Sequence, residues 1–163
     1  MHVSVRYGAG DTGVPFREIA EQVPKGYTVT LTAQPSGTDV FTGWSGGGCS
    51  GTGPSCTVLM SQAQSVTVSF ENRHVLSFEI LFPTVLGIHD TAQLTISPGG
   101  FSPHINAEQY SNALAFSDGT AVTISLFPDQ PGASITWAGA CAGTARTCTI
   151  TMNSDQSFGA AVS

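Results

Sequence analysis

Apolar and polar residues alternate along most of this chain. In Thr28-Val29-Thr30-Leu31-Thr32-Ala33 the valine, leucine and alanine fall on one side and the threonines on the other. Val122, Ile124 and Leu126 repeat the arrangement within Gly119–Pro128. A period of two built from Val, Ile and Thr predicts half-buried strands. The same alternation marks His2–Tyr7, Val66–Phe70, Val75–Phe82, Ala92–Ser97 and Phe158–Val162. Ser97-Pro98-Gly99-Gly100 predicts a turn. Helical signals are few. Phe16–Val23, which stops at Pro24, and Asn106–Leu114, with Asn106 as its N-cap, read as short helices; strand is the competing assignment for both.

The pattern occurs twice. Gly26–Pro35 matches Gly119–Pro128 at an offset of 93 positions, and Thr57–Val66 matches Thr149–Phe158 at an offset of 92. One residue lost between the tryptophan and the first cysteine accounts for the change. A near-constant offset over about 40 residues, with matching Trp, Met, Gly and Cys, signals internal duplication. Two modules follow, residues 1–71 and 72–163, joined at the short polar stretch Glu71-Asn72-Arg73-His74. So short a link implies closely spaced modules, not a flexible tether.

All four cysteines sit in the duplicated loops. Cys49 and Cys56 are separated by six residues, and so are Cys141 and Cys148. Zinc ligands usually stand closer together and often include histidine, which neither loop contains. A redox pair wants Cys-x-x-Cys. A local disulfide in each Gly-rich loop fits the spacing better than a metal site or free thiols. Closing a loop of this size stabilises by about 2.5 kcal/mol in the chain-entropy view. Disulfides place the protein in an oxidising compartment. The opening residues Met1–Tyr7 carry no apolar run of signal-peptide length, so export through a signal upstream of these residues is the expectation.

Charge narrows the partners. Only 10% of residues are charged, the formal net charge is −6, and Lys25 is the one lysine. Such a surface cannot neutralise many phosphates, which argues against nucleic-acid and anionic-lipid partners. No apolar run is long enough for a transmembrane helix.

The segments Gly26-Tyr27-Thr28-Val29-Thr30-Leu31-Thr32-Ala33-Gln34-Pro35, Phe41-Thr42-Gly43-Trp44-Ser45-Gly46, Cys56-Thr57-Val58 with Met60, and Gln64–Phe70 together resemble the divergent InlB B-repeat family, bacterial β-rich repeats of secreted and surface proteins. The resemblance covers roughly residues 26–70 and 119–162. It implies small β-sandwich-like or β-grasp-like modules with spacer, adhesive or substrate-binding roles, and no catalysis of their own. The family's common upstream cysteine pair is absent, and Val85–Thr91 and Phe101–Asn112 are long inserts against the family pattern.

Candidate chemistry is sparse. Trp44 and Trp137, at matched positions beside the cysteine loops, have rings suited to stacking on sugars; core packing on the adjacent disulfide is the competing and favoured role. Tyr110, and more weakly Tyr27, are possible companions. His89-Asp90 with His104 offers imidazole and carboxylate ligands for a divalent metal, against the commoner role of solvated loop residues. His2 would chelate copper only as a true N-terminus. Asp118, Asp129 and Asp155 stand beside turn residues and lack calcium-loop spacing. Glu18, Glu21, Glu79 and Glu108 read as solvated carboxylates, and no Gly-x-Ser-x-Gly elbow occurs.

The expectation is an all-β chain of two tandem modules, each pinned by one local disulfide. It is non-catalytic and without cofactor, an adhesive or spacer part of a larger secreted or surface protein. Neighbouring modules, and glycans or cell-surface proteins, are its expected partners. A carbohydrate-binding module and a small metal protein or enzyme using the second-half inserts are the alternatives. Exposed strand edges leave self-assembly open.

Overall fold

The computed structural model describes residues 2–9, 17–82 and 91–163, with side chains described from residue 21 onward. The chain divides into two compact units, Met1–Arg73 and His74–Ser163. Among the described residues there are strands and turns and no helix.

In the first unit the strands are β1 (His2–Ala9), β2 (Arg17–Gln22), β3 (Thr28–Thr32), β4 (Val40–Gly46), β5 (Cys49–Gly51), β6 (Ser55–Leu59) and β7 (Gln64–Glu71). They form a five-stranded sheet in the order β2-β1-β7-β4-β5 and a two-stranded sheet of β3 and β6. Trp44, Cys49, Val58, Met60, Val66 and Val68 are buried together, with Val29, Leu31 and Ala33 half-buried against them.

The second unit contains β8 (Arg73–Leu81, whose first residue closes the first unit), β9 (Ala92–Ser97), β10 (His104–Ile105), β11 (Gln109–Ser117), β12 (Thr120–Pro128), β13 (Ile135–Gly139), β14 (Thr147–Met152) and β15 (Gln156–Val162). Two four-stranded sheets, β11-β8-β15-β13 and β10-β9-β12-β14, share one core. Leu76, Phe78, Ile80, Phe158 and Val162 enter it from one sheet; Leu94, Ile96, Val122, Ile124, Leu126 and Met152 enter from the other. Alternation puts every second residue of these strands inward, which is why the period-two pattern was readable.

The duplication holds at the level of register. Val29 faces Val58 and Leu31 faces Cys56 across β3 and β6. Val122 faces Ile150 and Ile124 faces Cys148 across β12 and β14. Trp44 stands opposite Val68, and Trp137 opposite Ala160. In both units the first strand pairs in parallel with the last: β1 with β7, and β8 with β15. Gln64 faces Val3 and its counterpart Gln156 faces Leu76, so β1 and β8 also correspond. The units differ chiefly in β9 and β10, which the second has between its counterparts of β1 and β2.

Two sequence expectations are corrected. Of the Phe16–Val23 segment, Arg17–Gln22 is not helix but β2, paired antiparallel with β1 from Arg17 opposite Tyr7 to Gln22 opposite His2. The Asn106–Leu114 segment is not helical either: it runs into β11, and Glu108 accepts a hydrogen bond from the Phe82 amide of the chain following β8. Both are edge strands, whose local helix preference is overridden by pairing with a neighbour far along the chain.

A matched backbone position in each unit requires glycine. Gly46 and Gly139 end β4 and β13 with φ of +81° and +79°. A Cβ there would lie 2.7 Å from the Ser65 carbonyl oxygen in the first unit and 2.6 Å from that of Ser157 in the second. The chain can therefore turn toward the cysteine loop while passing close over the last strand.

Candidate functional site

The cysteine loops are the most elaborated feature of each unit. Cys49 is bonded to Cys56 and Cys141 to Cys148, with Cα–Cα distances of 5.8 and 5.9 Å. The first sulfur of each pair is on a buried cysteine and the second on a half-buried one, so the bridge ties the loop to the core edge. The local pairing expected from the six-residue spacing is the one present.

Trp44 and Trp137 secure the loops from inside. The Trp44 indole Nε1–H donates to the Gly53 carbonyl at 2.8 Å, and that of Trp137 donates to the Ala145 carbonyl at 2.5 Å. Gly53 and Ala145 are equivalent positions, each inside the ring that a disulfide closes. The Trp44 ring leans on Phe41 with centroids 5.4 Å apart, and the Trp137 ring on Phe158 at 5.7 Å. They are 6% and 4% exposed. Rings so covered present no face to a sugar, and stacking through Trp44 or Trp137 is ruled out in this arrangement. Each acts instead as an apolar wedge with one polar hook that holds the cysteine loop.

Tyr110 is half-buried on β11, its ring 6.3 Å from Phe78 and its hydroxyl 3.5 Å from the Asn112 side-chain amide. Its ring neighbour belongs to the core, so it too is committed on one face. Tyr27 by contrast is 64% exposed, just before β3.

His89 and Asp90 lie outside the described residues. His104 hydrogen-bonds through Nε2 to Asp129 Oδ2 at 2.7 Å, and the Thr91 hydroxyl donates to the same oxygen. The Thr91 hydrogen bond, then that from His104 together with its charge, holds the Asp129 carboxyl below its ordinary value. This arrangement closes a turn: the Asp129 amide also donates to the Thr91 carbonyl at 2.9 Å. Among the described residues no group of three or more His, Cys, Asp and Glu is placed to hold a metal ion.

A second polar brace was not legible in the sequence. His74 donates from Nε2 to Asp118 Oδ1 at 2.8 Å, while its Nδ1 lies 3.9 Å from Asp155 Oδ1. Asp155 Oδ1 accepts the Val75 amide at 2.8 Å. Asp118 and Asp155, read as turn residues, thus also fasten two turns to the start of β8. The partners stand 44 and 80 residues apart, and no local pattern announces them. A shallow depression of about 450 Å³ beside this brace is lined by Val75, Ser77, Gly139, Ala140, Asp155 and Gln156 among others. Glu21, Glu79 and Glu108 are exposed, Glu79 accepting from the Gln109 amide.

No curated protein matches the chain. The family described as the divergent InlB B-repeat domain matches residues 4–74. That span begins well before Gly26 and takes in most of β1 and all of β2, strands outside the stretch that carried the resemblance. The second unit repeats the strand order, register, tryptophan hook and disulfide of the matched one. No helix among the described residues is long and apolar enough to cross a membrane. Disulfides and repeat family are both compatible with an extracellular setting. The first unit is thus similar to the divergent InlB B-repeat domain, a bacterial repeat module, and the second unit is built on the same plan.

Proposed function

We propose that the chain is a non-catalytic spacer or adhesive segment of a larger exported protein, and that its units are built to resist tension. The observation that carries this reading is the pairing of first and last strands. β1 runs parallel to β7 over seven residue pairs from Val3–Gln64 to Ala9–Phe70, and β8 runs parallel to β15 from Leu76–Gln156 to Leu81–Ala161. A pull on the two ends of a unit loads such a ladder in shear. All its hydrogen bonds must then yield together instead of opening one by one from an end. The disulfide and the tryptophan hook add local reinforcement at the cysteine loop.

Single-molecule stretching of the oxidised chain from its two ends tests this. Two separate force peaks are expected, one per unit. Reduction lengthens the contour released after each peak by roughly 20 Å, since the seven chain steps inside each ring then extend fully at about 3.5 Å per residue. Extension of either oxidised unit without a peak would refute the tension reading.

A further inference from the structure

The two units treat the same strand edge differently. In the second unit β12 has a neighbour on each side, β14 and β9. In the first unit its counterpart β3 pairs with β6, and among the described residues no strand lies on its other side. The backbone groups left over can be identified. Leu126 N–H donates toward the β14 side, to the Arg146 carbonyl, and its counterpart Ala33 donates to the Pro54 carbonyl on the β6 side. The alternate residues of β12, Thr123 and Ser125, stand opposite Ser97 and Thr95 of β9. Leu94 and Ile96 of β9 direct their amides the other way, to the carbonyls of Pro103 and Phe101. By the shared register, Thr28, Thr30 and Thr32 turn their N–H and C=O groups to the open side of β3.

The side chains agree. Val122, Ile124 and Leu126, flanked by Leu94 and Ile96, are fully buried. Their counterparts Val29, Leu31 and Ala33 are only half-buried. Leu59, opposite Thr28 on the outer side of the same two-stranded sheet, is 59% exposed, and Tyr27, just before β3, is 64% exposed; the second unit has Thr151 and Thr120 there. β3 holds no charged residue, proline or bulge to discourage pairing.

We infer that the open edge of β3 is an acceptor for a strand from a partner polypeptide, bound antiparallel in the manner of β9. The chemistry of the partner follows from what β9 supplies: apolar residues at every second position, hydroxyl or amide residues between them, and no charge. In the β9 register an isoleucine-like residue lies opposite Leu31 and a leucine-like one opposite Ala33, where the first unit is short of volume relative to Leu126. Main-chain hydrogen bonds provide the attachment and the alternating side chains the selectivity. The inference does not rest on the spacer reading: a unit resists tension or fails to do so whatever β3 accepts.

The test uses the whole oxidised chain, isotopically labelled, and a synthetic peptide with the sequence of residues 91–105. Expected on titration are shifts at Thr28, Thr30 and Thr32, and slower amide exchange at Thr30 and Thr32. Thr30→Pro removes an outward N–H and leaves the β6 side intact, so it weakens binding at least tenfold. A peptide N-methylated at the Gln93, Thr95 and Ser97 positions, whose main chain faces β12 in the second unit, fails to bind the unaltered chain. This second arm keeps the question decidable if the proline variant does not fold. Two results overturn the inference: amides of Thr30 and Thr32 already protected in the free chain with no response to peptide, or a concentration-dependent dimer that Thr30→Pro abolishes, which assigns the edge to a second copy.

Discussion

β3 and β12 are two versions of one strand, with the same cross-strand partners and opposite fates. Ile124 of β12 is fully buried between β14 and β9, whereas Leu31 at the equivalent place on β3 is half-buried and has a strand on one side. The sequences hardly differ, Thr-Val-Thr-Leu-Thr against Ala-Val-Thr-Ile-Ser. What separates them is supplied from elsewhere in the chain, by the additional β9 and β10. Burial here is a property of the neighbourhood, and the same alternating pattern can specify a core strand or an edge.

The largest expected effect tests that statement directly. Ile124→Ala removes a fully enclosed side chain and is expected to cost about 3–4 kcal/mol, the range for large-to-small changes in a packed core. Leu31→Ala, at the matching position, is expected to cost roughly 1–1.5 kcal/mol, because part of its surface already meets water. Amide exchange measured separately in each unit gives both numbers, and equal losses would erase the distinction. The tryptophan hooks sharpen the comparison from the other side, since they are alike in both units. Trp44→Phe and Trp137→Phe each remove the indole donor to Gly53 or Ala145 and trim a buried ring. Each is expected to destabilise by about 1–2 kcal/mol and to speed proteolysis within the ring, to similar extents in the two units. A loss confined to one unit would show that the hooks are not equivalent.

The smallest effect belongs to Asp129, which has Ser36 as its counterpart in the first unit. Its folded-state carboxyl titrates below the ordinary value of 3.8, chiefly through the Thr91 hydrogen bond. A depressed acid stabilises the folded state above its unfolded pKa, and the contribution disappears as pH falls through the folded value. Acidification below about pH 4 should therefore narrow the gap in stability between the parent and Asp129→Asn. A gap unchanged from pH 6 to pH 2 would contradict this. Acid sensitivity in the first unit should not respond to the substitution.

Much of the architecture was written locally. Alternation in Thr28–Ala33 and Thr120–Leu126 marked strands because a strand buries every second residue. The offset between cysteine pairs exposed the duplication, and a six-residue gap was enough to indicate a ring within each loop. What escaped was set by distant partners. Arg17–Gln22, rich in good helix formers, becomes a strand because β1 offers a ladder, and a local reading cannot see that ladder. The kinship of β1 and β8 was hidden by the inserted β9 and β10, which break the constant offset upstream of Gly26. Trp44 and Trp137 were correctly singled out as a pair, yet the sugar-stacking option needed an exposed face that neither ring has. Their hooks to Gly53 and Ala145 depend on loop conformation. His74 and its aspartates are joined only once three separate strand ends come together.

The parallel pairing of β1 with β7 has a consequence for how such proteins grow. When the first and last strands of a unit point the same way, the chain arrives at one end and departs from the other. A duplicated copy can then be appended at the point of departure through a connection as brief as Asn72, with no segment needed to travel back along the parent. Antiparallel outer strands would return the chain to its starting side and require a longer crossing for each addition. Tandem multiplication is therefore geometrically inexpensive for this design, and one gene-level copying event yields a module that is connected correctly from the outset.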